Sequence, residues 1–347
     1  MSNHAPTVNQ MRGNGVTAGD RLRRVLRARE TGVLVALLLM CLFLWQATPA
    51  FMTVRNLLNI GRQVSLIGIM AIGMTFVLIS REVDLSVGSI YALAGLVCGM
   101  LILANWPLWA AIGVGLLIGM AAGAVNGLLS TYGLLPSFIA TLGMMSVLRG
   151  TALLITDGQP VTVNATQGAN PQTLDLFYFL GQGRLFGIVP MQLVCFATVA
   201  VVGWLLLAKT VFGFRVYAVG GSDKAARTSG IKVYNTKITA FLIMGFLAAL
   251  SGILSLAFLP SGQAGRTGIG VELDVIAAAI VGGASLSGGE GTILGTILGV
   301  LIIGVLQNGL VLMGISPFWQ ETIIGLVIIL AVGIDKWTSS SRKAAAR

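Results

Sequence analysis

The sequence predicts an all-α polytopic membrane protein, from its composition and the length of its apolar runs. Hydrophobic residues make up 56% of the 347 residues and charged residues only 10%, and the mean hydropathy is +0.90. So little charge does not cover the surface of a water-soluble domain. Several apolar runs exceed the roughly 18 residues that cross a ~30 Å hydrocarbon layer. These runs are continuous rather than alternating, which favours helices over the strands of a barrel.

Ten apolar segments are predicted to be membrane helices, and the fold class is about ten transmembrane helices, with eight to ten allowed. The eighth segment is short and precedes the glycine-rich stretch 286–291, so a re-entrant half-helix is an alternative to a full crossing. The predicted spans are 32–48, 62–80, 87–104, 108–130, 136–156, 187–208, 238–259, 270–284, 291–312 and 316–334.

The distribution of positive charge predicts the orientation of the spans. The formal net charge is +10, and Lys and Arg cluster in the tail 1–30, in the segment 209–237 and in the tail 336–347. Basic loops stay on the cytoplasmic side, so both termini and the segment 209–237 are predicted to be cytoplasmic. Six spans before that segment and four after it satisfy this arrangement. The domain plan is therefore two cytoplasmic tails around a transmembrane domain over 31–335.

Several kinds of chemistry have no support in the sequence. Basic residues lie at span boundaries and not on an aromatic-rich surface, so nucleic acid is not an expected partner. The cysteines, Cys41, Cys98 and Cys195, lie in apolar runs and indicate neither a disulfide framework nor a metal site. His4 is the only histidine. Without a phosphate-binding loop of the ATPase type, the chain is predicted to be neither an enzyme nor the binder of a cofactor.

An internal duplication is suggested by two stretches with the same order of residues. Gly123-Ala-Val-Asn126-Gly127, followed by Gly133, Pro136 and Thr141, is echoed by Gly304-Val-Leu-Gln-Asn308-Gly309, followed by Gly314, Pro317 and Thr322. Each copy includes a helix with a glycine at every fourth residue, which lets neighbouring helices pack closely. Five crossings separate the copies, so they face opposite ways. This predicts an inverted repeat, a common transporter architecture.

Polar residues inside the apolar runs are the candidates for a substrate pathway, because placing a polar group at membrane depth costs free energy. For Asp84 and Ser86 the alternative is capping of the helix that begins near Val87. For Asn126, Gln307 and Asn308 the alternative is hydrogen bonding between helices. The candidate pathway residues are Asp84, Ser86, Asn126, Ser137, Thr141, Asp274, Gln307 and Asn308.

The polar segment 209–237 interrupts the apolar sequence and is predicted to be a docking surface. Within it, Asp223 to Arg227 is expected to form a short helix that Gly230 ends. The small pair Ala225-Ala226 is expected to permit close approach of a partner. The candidate docking residues are Asp223, Lys224, Ala225, Ala226, Arg227 and Gly230.

The motifs together resemble the membrane permease subunit of ribose- and xylose-type monosaccharide importers of the ATP-binding-cassette (ABC) class, within the branched-chain amino acid and sugar permease superfamily. The resemblance runs from about residue 50 to 335. It departs from the family's commonest pattern at Arg81-Glu82, because uncharged residues normally precede the aspartate that corresponds to Asp84. The matching stretches are Asp84–Ser89, Asn126–Gly127, Pro136–Gly143, Tyr217–Gly221, Ala225–Ala226, Ser229–Ile231 and Ala279–Gly291.

This resemblance implies a bacterial inner-membrane protein that works with three partners. They are an ABC ATPase subunit that binds and hydrolyses ATP, a periplasmic sugar-binding protein and a second permease copy, identical or not. The stretch Asp223–Gly230 is implied to be the coupling helix that docks on the ATPase. An ion-coupled secondary sugar transporter is the alternative, and it requires ionisable groups near the midplane, where the Asp84 and Asp274 regions are the candidates.

Overall fold

The computed structural model describes residues 29–316 and, beyond them, 319, 322–323, 325–327, 329–330 and 333. The predicted tail 336–347 and nearly all of the tail 1–30 lie outside the described residues, as does much of the predicted span 316–334. The helices, in chain order, are α1 (Arg29–Ala47), α2 (Val54–Ile79), α3 (Val87–Leu103), α4 (Leu108–Thr131), α5 (Ser137–Thr156), α6 (Pro171–Gln182), α7 (Met191–Lys209), α8 (Val211–Gly221), α9 (Asp223–Thr228), α10 (Val233–Phe258), α11 (Val271–Val281) and α12 (Ile293–Leu312).

The prediction of an all-α membrane protein is confirmed. In the described part of the chain, seven helices are long and apolar enough to cross a membrane, namely α1, α2, α4, α5, α7, α10 and α12. The apolar helix α3 is slightly shorter, at 17 residues. Short strands pair in two places: β1 (Val161–Thr162) with β4 (Ser261–Gly262), and β2 (Arg184–Leu185) with β3 (Val189–Pro190).

The centre of the fold is formed by α2 and α10. Their most apolar windows are 78% and 67% buried, the highest shares among the candidate spans. Helix α10 packs on α3 and α4, α2 packs on α11 and α12, and the two central helices contact each other. Each central helix therefore packs on helices from the other half of the chain.

The glycine stripe of α4 packs against α10 with backbone contacts. Gly119 lies against the carbonyl group of Gly245, and Gly123 lies against the carbonyl group of Phe241. A side chain at either glycine would meet main-chain atoms, so the absence of a Cβ sets the distance between these two helices. The second stripe does the same in the other half, where Gly295 and Gly299 contact Gly282 and Ala278 near the end of α11.

Helix α11 does not span the membrane by itself. Its 11 residues rise about 16 Å at 1.5 Å per residue, against a hydrocarbon layer of ~30 Å. The chain at Ser261–Gly262 pairs with β1 on one side of the molecule, and after α11 the Gly289 N–H donates to the Ile79 carbonyl at the end of α2 on the other side. The irregular segment 259–270 and α11 therefore cross together. The helix is only half a span, but the chain leaves on the other side, so the re-entrant alternative does not describe it.

The irregular segment 259–270 brings two helix N-termini close to each other. Gly268, just before α11, packs against Gly88 in the first turn of α3, so closely that a Cβ on Gly88 would lie 2.2 Å from the Gly268 carbonyl oxygen. Helix α3 also follows an irregular stretch, residues 80–86. Broken helices of this kind surround the binding site in many transporters.

Candidate transport site: a coupling face and a buried polar cluster

The polar segment 209–237 forms two consecutive helices, α8 and α9. The Thr210 hydroxyl accepts from the Gly213 N–H at 3.2 Å and caps α8, and the Ser222 hydroxyl accepts from the Ala225 N–H at 3.3 Å and caps α9. Gly230 follows α9 with a φ of +79°, a conformation that glycine adopts readily. The short helix expected over 223–227 is present, whereas α8 was not predicted.

The two alanines of α9 lie in different surroundings, which corrects one expectation. Ala225 is exposed together with Lys224 and Arg227. Ala226 is 3% exposed and packs against Val219 and Val233. Because consecutive residues of a helix lie about 100° apart, only one of the pair faces outward, and a partner is able to reach Ala225 but not Ala226.

A buried ion-pair network joins α9 to the two central helices. The Lys237 Nζ, in the second turn of α10, lies 2.8 Å from the Glu82 Oε1 and 2.9 Å from the Asp223 Oδ2. The side chains of Lys237 and Glu82 are only 11% and 10% exposed, while Asp223 is 38% exposed. Glu82 follows α2 and Asp223 begins α9, so one lysine links three elements. Charges this deeply buried depend on such partners.

Arg81 forms a second link on the same face. Its Nε donates to the Ser287 carbonyl at 2.7 Å and its Nη2 donates to the Gly221 carbonyl at 3.2 Å. Arg81 has a φ of +65°, in the left-handed region. The two charged residues that depart from the family pattern thus hold the end of α2 against α8, α9 and the loop 282–292. We call this surface, formed by α8, α9, residues 80–82 and loop 282–292, the coupling face.

Tyr217 and Gly220 of α8 complete the coupling face. The Tyr217 hydroxyl donates to the Gly291 carbonyl at 2.7 Å. Burial raises the pKa of the Tyr217 hydroxyl, and the negative charge of Glu30 raises it further, so this hydroxyl keeps its proton and remains a donor. Gly220 packs on the Ile79 carbonyl, where no side chain fits.

Five of the eight candidate pathway residues gather in a buried polar cluster beside the irregular stretch 80–86. The Asp84 Oδ1 accepts from the Ser86 N–H at 2.8 Å and from the Ser86 hydroxyl at 2.7 Å. The Asn126 Nδ2 donates to the Ser86 Oγ at 2.8 Å.

The other two members of the cluster satisfy backbone groups of the unwound stretch. The Ser137 hydroxyl accepts from the Val83 N–H at 3.2 Å and the Thr141 hydroxyl accepts from the Leu85 N–H at 3.1 Å. Both residues lie in the first two turns of α5. Unpaired N–H groups are costly away from water, so α5 stabilises the unwound chain before α3.

The capping alternative for Ser86 is not what the structure shows. Ser86 is the residue before α3, but its side chain makes no capping hydrogen bond. Its φ and ψ of −81° and −4° are helical instead of the extended geometry of a typical capping serine. Its hydroxyl bonds Asp84 and Asn126 instead, which joins α4 to the break before α3.

The remaining three candidate pathway residues lie elsewhere. Asn308 and Asn56 exchange two hydrogen bonds of 2.9 and 3.0 Å, and the Gln63 Nε2 donates to the Gln307 Oε1 at 3.1 Å. These contacts join α12 to the first half of α2, as the alternative of hydrogen bonding between helices described. Asp274 lies in the first turn of α11. We call the irregular stretch 80–86 before α3 the first helix break and the irregular segment before α11 the second.

Replacing Asn126 by alanine tests the cluster. The change removes the amide that bonds the Ser86 hydroxyl and the Asp84 carboxylate in a site where both are fully buried, which costs about 1–3 kcal/mol. We expect a lower midpoint of thermal unfolding for the purified protein. Thr198→Ala, which removes an exposed hydroxyl bonded only within α7, is the control and should leave the midpoint unchanged. Equal midpoints for both variants would contradict the structural role of Asn126.

The seven long apolar helices and the polar helix α9 between them define a polytopic helical membrane protein. More particularly, residues 56–332 match the family described as branched-chain amino acid transport system / permease component. The chain belongs to this family, and the resemblance seen in its motifs is confirmed.

Individual relatives are sugar permeases. The ribose import permease protein of Escherichia coli K12 is 42% identical over 306 residues, which cover 88% of this chain and 93% of the relative. The ribose import permease protein of Bacillus subtilis 168 is 43% identical over 90% of this chain and 94% of its own length. The xylose transport system permease protein of Escherichia coli K12 is 34% identical over 86% and 89%. No solved structure matches the chain.

Proposed function

We propose that this chain is the permease subunit of an ABC importer and forms the membrane pathway for a monosaccharide, a pentose, hexose or related polyol. A separate ATPase subunit binds and hydrolyses ATP, a periplasmic binding protein delivers the sugar, and a second permease copy completes the pathway. The single observation that carries the proposal is the coupling face, where an exposed short helix is bonded to both central helices. The relatives named for ribose and xylose make a pentose the first substrate to test.

The coupling face is assigned to the cytoplasm of a bacterium, with the protein in the inner membrane. Lys224, Arg227 and Lys232 are exposed there, and exposed basic residues near span ends favour the cytoplasmic side. An exposed helix rich in small and charged residues on that side is accessible to a soluble ATPase. Both chain termini are assigned to the same side.

The contacts suggest how force on α9 reaches the pathway. Displacement of α9 moves Asp223, and Lys237 carries that movement to α10 and, through Glu82, to the end of α2. Arg81 passes it to loop 282–292 and hence to α11 and α12. Because the glycine contacts between α4 and α10 have few interlocking side chains, the two halves are able to slide and open the pathway alternately to each side.

The pathway is proposed to run beside the two helix breaks. Asp84, Ser86, Asn126, Ser137 and Thr141 hold the first break, and Asp274 lies at the second. Gln307 and Asn308 keep α12 aligned with α2. The polar cluster shapes the pathway by fixing unwound backbone, since Ser137 and Thr141 accept from that backbone and Ser86 bonds both Asp84 and Asn126. The Asn126 Oδ1 has no partner among the described residues.

Replacing Ala225 by tryptophan tests the docking assignment. The residue is exposed on α9, so the fold should tolerate the change, while the added bulk should keep an ATPase subunit from seating on the helix. We expect at least tenfold less ATPase retained on the affinity-tagged permease and a matching loss of sugar uptake. Ala225→Ser, which keeps a small side chain, is the control. Wild-type retention and uptake by the tryptophan variant would remove the docking role from α9.

A further inference from the structure

A polar cavity of about 710 Å³ lies at the end of the molecule opposite the coupling face. It is formed where α2 and α7 begin and where α6 ends. Three arginines contribute, and the described residues that line it include no Asp or Glu. The polar lining residues are Arg55, Asn59, Arg62, Gln182, Arg184 and Gln192.

Gln192 is the strongest sign that the cavity holds a ligand. The residue is 0% exposed, and neither its side-chain nitrogen nor its side-chain oxygen has a hydrogen-bond partner among the described residues. A buried amide without partners is destabilising, and a bound group that accepts from the Nε2 would offset that cost. Gln192 is the second residue of α7, so the positive end of that helix faces the same space.

The arginines make the cavity a site for an anion. Arg62 is held in place, with its Nη2 2.6 Å from the Asn59 Oδ1 and its guanidinium carbon 4.8 Å from the centre of the Phe258 ring. Arg55 and Arg184 form no ion pair with any described residue. Guanidinium groups bind phosphate oxygens through paired hydrogen bonds, and three of them around one buried amide match a phosphate group.

An apolar hairpin next to the cavity indicates where that phosphate comes from. The hairpin β2–β3 begins at Arg184, and its turn exposes Leu185, Phe186 and Ile188 at 37%, 88% and 59%. Exposed apolar residues beside cationic residues are typical of contact with the boundary between headgroups and acyl chains. A soluble anion would bind the arginines but would make no favourable contact with the apolar side chains of this hairpin.

We propose that this cavity binds the phosphate headgroup of an anionic phospholipid. Arg55, Arg184 and Gln192 bond the phosphate oxygens, and the hairpin residues lie against the acyl chains of the same lipid. The site is independent of sugar transport, and only its placement in the outer leaflet rests on the orientation given under the proposed function. Binding of a lipid here would fix the start of α2, the central helix of the fold, relative to α7.

The test uses the purified full-length chain in detergent, without ATPase or binding protein, so its result does not depend on the proposed transport activity. Phosphatidylglycerol, phosphatidylcholine and inorganic phosphate are each titrated, with thermal unfolding and native mass spectrometry as readouts. We expect phosphatidylglycerol to raise the unfolding midpoint and to remain bound in the spectrometer, and the other two to do neither.

Four variants test whether lipid binding depends on the cavity residues or only on the overall positive charge of the protein. Gln192→Leu and Arg184→Gln should each weaken phosphatidylglycerol binding at least tenfold, and Phe186→Ser should weaken it as well. Arg266→Gln removes an exposed charge that does not line the cavity and should bind like the wild type. Equal binding by all four variants, equal stabilisation by phosphatidylcholine, or a midpoint shift with inorganic phosphate alone would overturn the lipid assignment.

Discussion

Replacement of Lys237 by methionine is expected to destabilise the protein severely and to abolish ATP-driven uptake. The change leaves the Glu82 carboxylate, only 10% exposed, without its cation. Removing one partner of a buried ion pair costs about 3–5 kcal/mol, because the other charge stays buried and unpaired. It also cuts the link from α9 to both central helices. Thermal unfolding of the purified permease and sugar uptake in cells measure the two effects separately.

The double variant Glu82→Gln/Lys237→Met distinguishes stability from coupling. Without the charges of Glu82 and Lys237, part of the lost stability should return, since only the partly exposed Asp223 carboxylate is left without its cation, but uptake should stay low because α9 is no longer held. Lys232→Met is the matched control, as Lys232 is exposed on the same segment. If the single and double variants unfold at the same temperature, the ion pair does not contribute as described. Normal uptake by Lys237→Met would show that Lys237 does not couple α9 to the central helices.

Leucine at Gly123 is expected to prevent α4 from packing on α10. A Cβ at this position would lie 2.2 Å from the Phe241 carbonyl oxygen, and main-chain atoms of a central helix have little room to move. Overpacking in cores typically costs 1–3 kcal/mol, and a clash with backbone in the middle of the fold should cost at least about 3 kcal/mol. We expect little monodisperse protein in size-exclusion chromatography after extraction with detergent.

The same helix provides the control for this prediction. A Cβ at Gly113 of α4 would have no neighbouring atom within 4 Å, so Gly113→Leu makes the same substitution where nothing opposes it. This variant should be produced at the level of the wild type. Similar yields and unfolding temperatures for the Gly113 and Gly123 variants would mean that the glycine stripe does not set the spacing of α4 and α10.

The sequence predicts the spans well because lipid requires long apolar runs, but the ends of central helices depend on protein contacts instead. Helix α2 begins at Val54 and not at 62, since its polar first half, with Asn56 and Gln63, bonds α12. Helix α10 begins at Val233 because Lys237 is paired inside the protein. The irregular segment 259–270 has no apolar run to reveal it, and its position depends on backbone contacts with Gly88 and β1.

The sequence identifies the residues of the candidate site but not which of them contact one another. Asp84 and Asn126 stand out as polar residues in apolar surroundings, yet nothing in the sequence shows that they share Ser86 across 40 residues. Glu82 and Arg81 were visible only as a departure from the family pattern. Their partners Lys237, Gly221 and Ser287 are supplied by the fold. Ala226 illustrates the converse, since its inward orientation depends on the packing of α9 against Val219 and Val233.

The central claim is that an external ATPase drives a sugar through this permease by way of the coupling face. The most direct measurement is uptake of radiolabelled ribose, xylose and arabinose in cells that make this chain with its ATPase and binding protein, with the phosphate-binding lysine of the ATPase intact or replaced. The account predicts uptake of at least one of these sugars that disappears when that lysine is replaced. Uptake that persists without a functional ATPase would contradict it and indicate an ion-coupled carrier.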